Sequence, residues 1–302
     1  LIPHLLRGSY LLLCGRPGAG KTAFVGSWHD EILRQTGEPQ AKMQLELSAA
    51  NLGRRTTART SGVSMRKLMD AETGDYQLSN DEWSRLIDAR DTRTGKVYVA
   101  ATPATTLKQM EGLIRQMSRM ATRDHGAGLA AVSVDFIQLA SVDGGGGIAD
   151  AMKQAAERMK AVLGQVDAAG LVLSQLNGAG IEAADRGDQF SSRWVYGGQF
   201  LDMLADATMY ISRNMELTPD EMSCFLFKER NNGAGGQTAR LSFNGARMDV
   251  GDPNDARDAQ AIRPKRDADA PVALDDYSTE ETRAQGKAWT EKKAEERNGE
   301  LI

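Results

Sequence analysis

The sequence predicts an α/β protein whose sheet is mostly parallel and is extended by antiparallel strands near the carboxyl end. Three observations support this fold class. Apolar strand-like runs alternate with helical patterns as far as residue 176, a glycine-rich loop follows the first strand, and three consecutive strand-like runs occupy residues 207–244. Strands that alternate with helices build parallel sheets, whereas consecutive strands joined by turns pair in antiparallel fashion.

The first strand, Ser9–Cys14, leads into a loop that fits the pattern G-x-x-x-x-G-K-[ST], formed by Gly15, Arg16, Pro17, Gly18, Ala19, Gly20, Lys21 and Thr22. Helical spacing begins at Thr22. Such a loop aims backbone N–H groups and a helix N-terminus at phosphate oxygens. We therefore expect ATP to bind here, with Lys21 on the β- and γ-phosphates and Thr22 as a ligand of Mg²⁺. The alternative is an ordinary glycine-rich turn before a helix.

Further strands and helices follow in order. After the second strand, the amphipathic patterns predict three helices, and Asn80 is the expected cap of the third. A short strand, a long helix and a strongly apolar strand follow. In order, these elements are Ala41–Leu47, Ala49–Thr60, Val63–Met69, Asn80–Arg90, Val97–Ala101, Thr105–Asp124 and Leu129–Leu139. A flexible loop, a helix, a strand and three final strands complete the pattern, as Asp143–Gly147, Ile148–Ala168, Leu171–Leu176, Ala207–Arg213, Ser223–Arg230 and Thr238–Asn244.

Three polar residues lie at predicted strand ends, where parallel sheets bind ligands. Asp135 follows an apolar run, so we expect it to hold Mg²⁺ and not merely to cap a turn. Glu46 could accept a proton from the attacking water, although a surface or salt-bridged glutamate is an equally good interpretation. Gln175 could sense the γ-phosphate, or it could be a satisfied polar residue at a strand end.

Basic residues supply the remaining candidates. Lys228 and Arg230 precede a glycine turn. In isolation they are best interpreted as a solvated hairpin, but they could also reach a neighbouring subunit's phosphates as an arginine finger. Arg186 and Arg193 lie in the segment 178–198, where they could contact DNA phosphates or simply keep a loop soluble.

Together these pieces resemble the RecA-type ATPase domain of the DnaB family of replicative hexameric helicases. The similar segments are the loop 15–22, Gln44–Ser48, Gly62–Ser64, Val134–Leu139, Leu173–Asn177 and Lys228–Gly233. Residues 196–206 depart from the usual family pattern and are closer to phage-type helicases. The resemblance implies that Lys21, Thr22, Asp135, Glu46 and Gln175 act within one subunit, whereas Lys228 and Arg230 act on the next.

The implied function is an ATP hydrolase that translocates on single-stranded DNA as a homo-hexamer or related ring during DNA replication, with a helicase loader and primase as possible partners. The alternatives are a RecA- or RadA-like DNA-dependent ATPase of recombination or regulation, and an ATP-binding assembly module with vestigial hydrolysis. The family's helical N-terminal domain and linker helix have no counterpart in the match, so we expect ring closure to need nucleotide, DNA or high protein concentration.

Composition is consistent with a protein of this kind. The chain has 302 residues, of which 41% are hydrophobic and 26% charged, and no apolar run is long enough to span a membrane. Both cysteines, Cys14 and Cys224, lie in strand-like runs, which favours a reduced, cytoplasmic setting in a bacterium, or for a phage protein in its host. We expect a folded domain over residues 1–250 and a charged, disordered tail over 251–302, which carries the net charge of −4.

Overall fold

The computed structural model describes residues 5–91, 96–102, 105–139, 147–196, 199–231 and 233–252. The strands are β1 (Tyr10–Gly15), β2 (Gln40–Gln44), β3 (Val97–Ala101), β4 (Ala131–Asp135), β5 (Ala169–Gln175), β6 (Ala207–Asn214), β7 (Thr218–Glu229), β8 (Gln237–Asn244) and β9 (Asp249–Gly251). The helices are α1 (Lys21–Thr36), α2 (Ala49–Ser61), α3 (Met65–Thr73), α4 (Asn80–Asp91), α5 (Leu107–His125), α6 (Ile148–Val166), α7 (Gly178–Asp185) and α8 (Phe200–Leu204).

The strands form one sheet in the order β3-β2-β4-β5-β1-β6-β7-β8-β9. Pairing is parallel from β3 to β6 and antiparallel from β6 to β9. This arrangement confirms the predicted fold class. Because the parallel strands all run the same way, their carboxyl ends, including Gly15, Gln44, Asp135 and Gln175, lie along one edge of the sheet. We call this the carboxyl edge and the opposite one the amino edge.

Helices cover both faces of the sheet. Strand β1 is fully buried, and its alternate side chains point into two hydrophobic cores, as the period of two in a strand requires. Leu12 packs in the core that contains residues of α5 and α6, while Leu11 and Leu13 pack with Phe24 and Trp28 of α1. A central strand buried on both faces explains why the first run of the sequence is apolar throughout.

Helices α2, α3 and α4 come between β2 and β3 in the sequence and share a small core around Ala58, Val63 and Leu68. Arg59 anchors α2 on α1, because its buried guanidinium donates to Asp30 (2.6 Å). In the described parts of the chain, no helix is both long and apolar enough to cross a membrane.

Four local predictions need correction. Helix α4 is capped by Ser79, which accepts from the N–H of Glu82 (3.2 Å), and not by Asn80. The strand predicted over Leu129–Leu139 is only β4, followed by a 3₁₀ turn at Ile137–Leu139, since β2 ends at Gln44 beside Asp135. Segment 178–196 is not a plain loop, because α7 fills its first half, and β9 was not predicted. The loop residues 143–146 and the tail from 253 lie outside the described residues.

Candidate active site

The phosphate loop connects β1 to α1 at the carboxyl edge. Gly18 (φ +78°) and Gly20 (φ +95°) adopt left-handed conformations that side chains rarely tolerate. A Cβ on Gly20 would also lie 2.8 Å from Cε of Met222 and 2.9 Å from Cε2 of Phe243. The two glycines are therefore required by conformation, and the second also by close packing against the antiparallel strands.

Lys21 opens α1 and is buried beneath the loop. Its ammonium donates to the carbonyl oxygens of Gly15 (2.8 Å) and Arg16 (2.8 Å). Burial lowers the pKa of Lys21, and the nearby carboxylates of Asp135 and Glu46 oppose that shift. A buried cation that bonds to two carbonyl oxygens is poised to exchange them for phosphate oxygens, which bear a full negative charge.

Asp135 ends β4 next to the first turn of α1. Its Oδ2 accepts from the hydroxyl of Thr22 (2.7 Å), and the peptide bond to Phe136 is cis. In the amide orientation that satisfies both of its ends, Gln44 donates to the same Oδ2 (3.2 Å) and accepts from the N–H of Leu47 (3.3 Å). Burial raises the pKa of Asp135, and the bonds from Thr22 and Gln44 oppose this.

Glu46 lies in the turn after β2 and not within the strand as predicted, because β2 ends at Gln44. Its side chain is exposed at the carboxyl edge, close enough to influence the pKa values of Lys21 and Asp135. Ser48, which closes this turn, caps α2 by accepting from the N–H of Asn51 (3.3 Å). A carboxylate on a short, capped turn beside the phosphate loop is suitably placed to face a bound nucleotide.

Gln175 ends β5 and lies directly beside Gly15 in the parallel register. Its carbonyl accepts from the N–H of Tyr196 (2.9 Å), which ties the strand end to the segment after α7. The neighbouring Ser174 accepts from the amide of Gln138 (2.5 Å), so the turn that follows β4 is joined to the end of β5. The structure thus brings Gln175 to the same edge as Lys21, Thr22, Glu46 and Asp135.

Lys228 and Arg230 lie at the amino edge instead. Thr208 pairs with Lys228, whereas the loop residue Gly15 pairs with Ile211. Thr208 and Ile211 are three residues apart on β6, and each residue of a strand adds about 3.3 Å. The basic pair therefore lies about 10 Å or more from its own phosphate loop. Lys228 bonds to the carboxylate of Asp202 (3.2 Å) and to its carbonyl, and Arg230 donates to the carbonyl of Met203.

Comparison with known proteins identifies the family. The family described as "DnaB-like helicase C terminal domain" matches residues 3–250. This chain belongs to that family. The match covers nearly all of the described residues and confirms the resemblance drawn from the sequence motifs.

The replicative DNA helicase DnaB of Geobacillus stearothermophilus is 23% identical over 247 residues, which cover 78% of this chain and 51% of the relative. The chain therefore spans about half the length of this curated relative. Among solved structures that share the DnaB-like fold, one described as an ATPase domain is 17% identical with a TM-score of 0.69 and covers 82% of this chain and 85% of its own. Another, of a DnaB-like replicative helicase and its interactions with primase, is 17% identical with a TM-score of 0.71, over 82% and 58%.

The two arginines predicted to contact DNA, Arg186 and Arg193, come just before residues 196–206, where the chain departs from the DnaB-like pattern. Arg186 caps α7 and pairs with Asp188 (2.7 Å), and both side chains are largely exposed. Arg193 is exposed in a 3₁₀ turn, where its Nε donates to the hydroxyl of Ser191 (3.2 Å). Both lie after β5, beyond the carboxyl edge, and Arg186 is held by a neighbouring acid instead of standing free.

Sequence reasoning missed two neighbours of the phosphate loop that are far apart in the chain. The guanidinium of Arg213 stacks over the ring of Phe243 at 3.5 Å. Phe243 also contacts Gly20, and Arg213 lines a cavity of about 290 Å³ together with Met222 and Arg240. An arginine and an aromatic residue separated by 30 positions leave no local pattern, so only the pairing of β6, β7 and β8 reveals this surface.

Proposed function

We propose that this chain is the motor domain of an ATP-dependent DNA helicase, which translocates on single-stranded DNA within a ring during replication. One observation carries the proposal: the phosphate loop and the basic pair Lys228/Arg230 occupy opposite edges of the same sheet. A site that needs both groups can be completed only by two copies of the chain. Membership of the DnaB-like family supports this arrangement, in which ATP is hydrolysed between subunits.

The residues at the loop suit ATP and Mg²⁺. Thr22 and Asp135 offer a hydroxyl and a carboxylate oxygen 2.7 Å apart, which are hard donors of the kind that Mg²⁺ accepts. When bound there with the nucleotide, Mg²⁺ would neutralise charge on the β- and γ-phosphate oxygens. Lys21 would exchange its two carbonyl partners for phosphate oxygens, and Gln175 would contact the γ-phosphate from the neighbouring strand.

Hydrolysis requires a group that takes a proton from the attacking water, and we assign this role to Glu46. The turn after β2 presents its exposed carboxylate at the same edge as the loop, while Asp135 is buried and engaged by two donors. This difference in environment separates a metal-holding acid from a proton acceptor.

Replacing Glu46 with glutamine should therefore lower kcat by roughly a hundredfold or more while leaving ATP binding nearly unchanged, since the shape of the site is kept and the proton acceptor is lost. Steady-state ATPase rates and equilibrium binding of a fluorescent ATP analogue would measure the two quantities. Glu72→Gln is the matched control, because Glu72 is an exposed carboxylate on α3 that pairs with Arg54 of α2 (2.8 Å). Normal turnover in Glu46→Gln would place the proton acceptor elsewhere.

We assign the nucleotide base to the surface formed by Arg213 and Phe243. It adjoins the phosphate loop through Phe243 and Met222. Phe243 is buried and supports the half-buried guanidinium of Arg213, whose other face is the flat surface proposed for a purine. Burial lowers the pKa of Arg213, in keeping with a partly desolvated cation beside an aromatic ring.

Arg213→Ala should raise KM for ATP by about fivefold and change kcat little, because stacking contributes on the order of 1 kcal/mol to binding and does not touch the reacting atoms. Initial rates over a range of ATP concentrations would test this. Arg240→Ala is the control, because this arginine lines the same cavity but is largely exposed. An equal effect of Arg213→Ala and Arg240→Ala would argue against a base site.

Single-stranded DNA is the proposed ligand along which the protein translocates. We propose Arg186 and Arg193 as phosphate contacts, because both lie on the segment that links β5 to α8. A primase is a candidate partner, since one structural neighbour is described with primase, and a loader is proposed from the family resemblance alone. We also propose residues 1–250 as the motor domain, residues 251–302 as a tail, and the bacterial cytoplasm, or a phage-infected host, as the setting.

The deciding experiment measures ATPase rate with and without single-stranded DNA, alongside displacement of an annealed strand. DNA-stimulated hydrolysis with displacement would support the helicase. Stimulated hydrolysis without displacement would favour a RecA- or RadA-like ATPase that acts in recombination or regulation. A flat ATPase rate under ring-forming conditions would contradict both and favour a non-hydrolysing assembly module.

A further inference from the structure

A buried amide connects the two acidic residues of the proposed hydrolytic centre. Gln44 is the last residue of β2, is 3% exposed, and lies opposite Asp135 in the register of β2 and β4. In the amide orientation that satisfies both of its ends, it donates to Oδ2 of Asp135 (3.2 Å) and accepts from the N–H of Leu47 (3.3 Å). Leu47 directly follows Glu46, so one side chain bonds both to the metal-site carboxylate and to the turn that carries the proton acceptor.

We infer that Gln44 is a positioning residue, which fixes the turn bearing Glu46 relative to the Asp135 carboxylate; the inference rests on the function proposed above. The surrounding backbone strengthens the case. Leu45 N–H donates to the carbonyl of Asp135 (2.8 Å), and Thr102 N–H donates to the carbonyl of Gln44 (3.0 Å). The backbone at Gln44 is therefore fixed by both neighbouring strands, and its side chain is buried between them.

The two residues that donate to Asp135, Thr22 and Gln44, differ in whether they are proposed to contact the metal. Thr22 is a proposed metal ligand, so its hydroxyl changes surroundings when a nucleotide and metal arrive. Gln44 has no proposed phosphate or metal contact, so its bond to Asp135 is the constant one. A proton acceptor must sit within about 3 Å of the water it activates, and a displacement of about 1 Å can slow a reaction by about a hundredfold. Gln44 thus acts on rate through geometry, without touching the substrate.

The same strand provides a matched control. Gln40 is also buried on β2, four residues earlier, and its amide bonds to His29 through Nδ1 (2.5 Å) and through the carbonyl (3.0 Å). It links β2 to α1 without touching Asp135 or the Glu46 turn. Substitution of either glutamine by methionine removes a buried amide of similar size, so the two variants differ mainly in which contact is lost.

The test compares Gln44→Met, Gln40→Met and the unaltered chain. It measures kcat and KM for ATP, the Kd of a fluorescent non-hydrolysable ATP analogue in EDTA, and the unfolding temperature without nucleotide. We expect Gln44→Met to lower kcat by about tenfold to a hundredfold, with the analogue's Kd changed by less than about threefold. Gln40→Met should lower the unfolding temperature and leave kcat within about threefold of the original.

Three outcomes would overturn the inference: unchanged kcat in Gln44→Met, parallel losses of kcat and analogue affinity in that variant, or equal losses of kcat in both methionine variants that follow their unfolding temperatures. If Gln44→Met does not fold, Gln44→Asn replaces it; this variant keeps an amide but shortens it by one methylene, and the same loss of kcat is expected. If the unaltered chain hydrolyses no ATP with or without DNA, the proposed function fails instead.

Discussion

Lys21→Ala is expected to remove ATP hydrolysis almost entirely, with a loss of at least about a hundredfold in kcat/KM. In the structure the ammonium of Lys21 is buried and bonds to the carbonyls of Gly15 and Arg16 (2.8 Å each). It is thus already desolvated and aimed into the loop, and the bound phosphates would supply the negative charge it lacks. Alanine removes the buried cation that the loop holds beneath the phosphates.

The measurement is steady-state hydrolysis with saturating DNA, together with binding of a fluorescent ATP analogue. Lys96→Ala is the matched control, because Lys96 also donates to a carbonyl, that of Gly37 (2.9 Å), far from the loop. Both variants lose a lysine–carbonyl bond, and only Lys21→Ala should lose activity. Near-normal hydrolysis in Lys21→Ala would end the interpretation of residues 15–22 as a phosphate loop.

Arg230→Ala should fold and bind ATP but lose about a thousandfold or more in kcat, as is typical when an arginine finger is removed. Because Arg230 lies at the amino edge, it cannot serve its own phosphate loop at the carboxyl edge. Mixing Arg230→Ala with Lys21→Ala should therefore restore activity. Some interfaces in the mixture combine an intact loop from one chain with an intact Arg230 from the other.

The restored rate should follow the statistical fraction of such mixed interfaces and vanish where rings do not form. Arg66→Ala serves as the control, because Arg66 is an exposed arginine paired with Asp70 (3.5 Å) on α3. The Arg66→Ala variant should hydrolyse ATP at the normal rate without being mixed with another variant. Mixtures that stay inactive under ring-forming conditions would show that Arg230 does not act across an interface.

The parts of the site that depend on short, local spacing could be predicted from the sequence. The loop 15–22 is such a case, and strand ends placed Asp135 and Gln175 at the correct edge. Glu46 was placed within the strand and lies two residues beyond it, because the partner strands, and not the apolar pattern, decide where β2 ends.

Features created by long-range pairing could not be predicted. The surface of Arg213 and Phe243 exists because β6, β7 and β8 pair in antiparallel order, and the bridge of Gln44 depends on its register with β4. The sequence predicts a loop where helix α7 forms. It forms because Asn177 caps it by accepting from the N–H of Gly180 (2.8 Å), and a Cβ on Gly180 would lie 2.5 Å from Cβ of Trp194.

The phosphate loop is also attached to the segment proposed to meet DNA. Arg16 pairs with Asp185, the last residue of α7, and Arg186 follows directly. Both side chains are about half exposed, at 41% and 50%, so water and salt screen the pair, and it stabilises the protein by about 1 kcal/mol at most. A motor must break and remake its internal couplings in every cycle. In the proposed motor, the ion pair between the phosphate loop and the proposed DNA-binding segment is weak enough for ordinary thermal energy to break it.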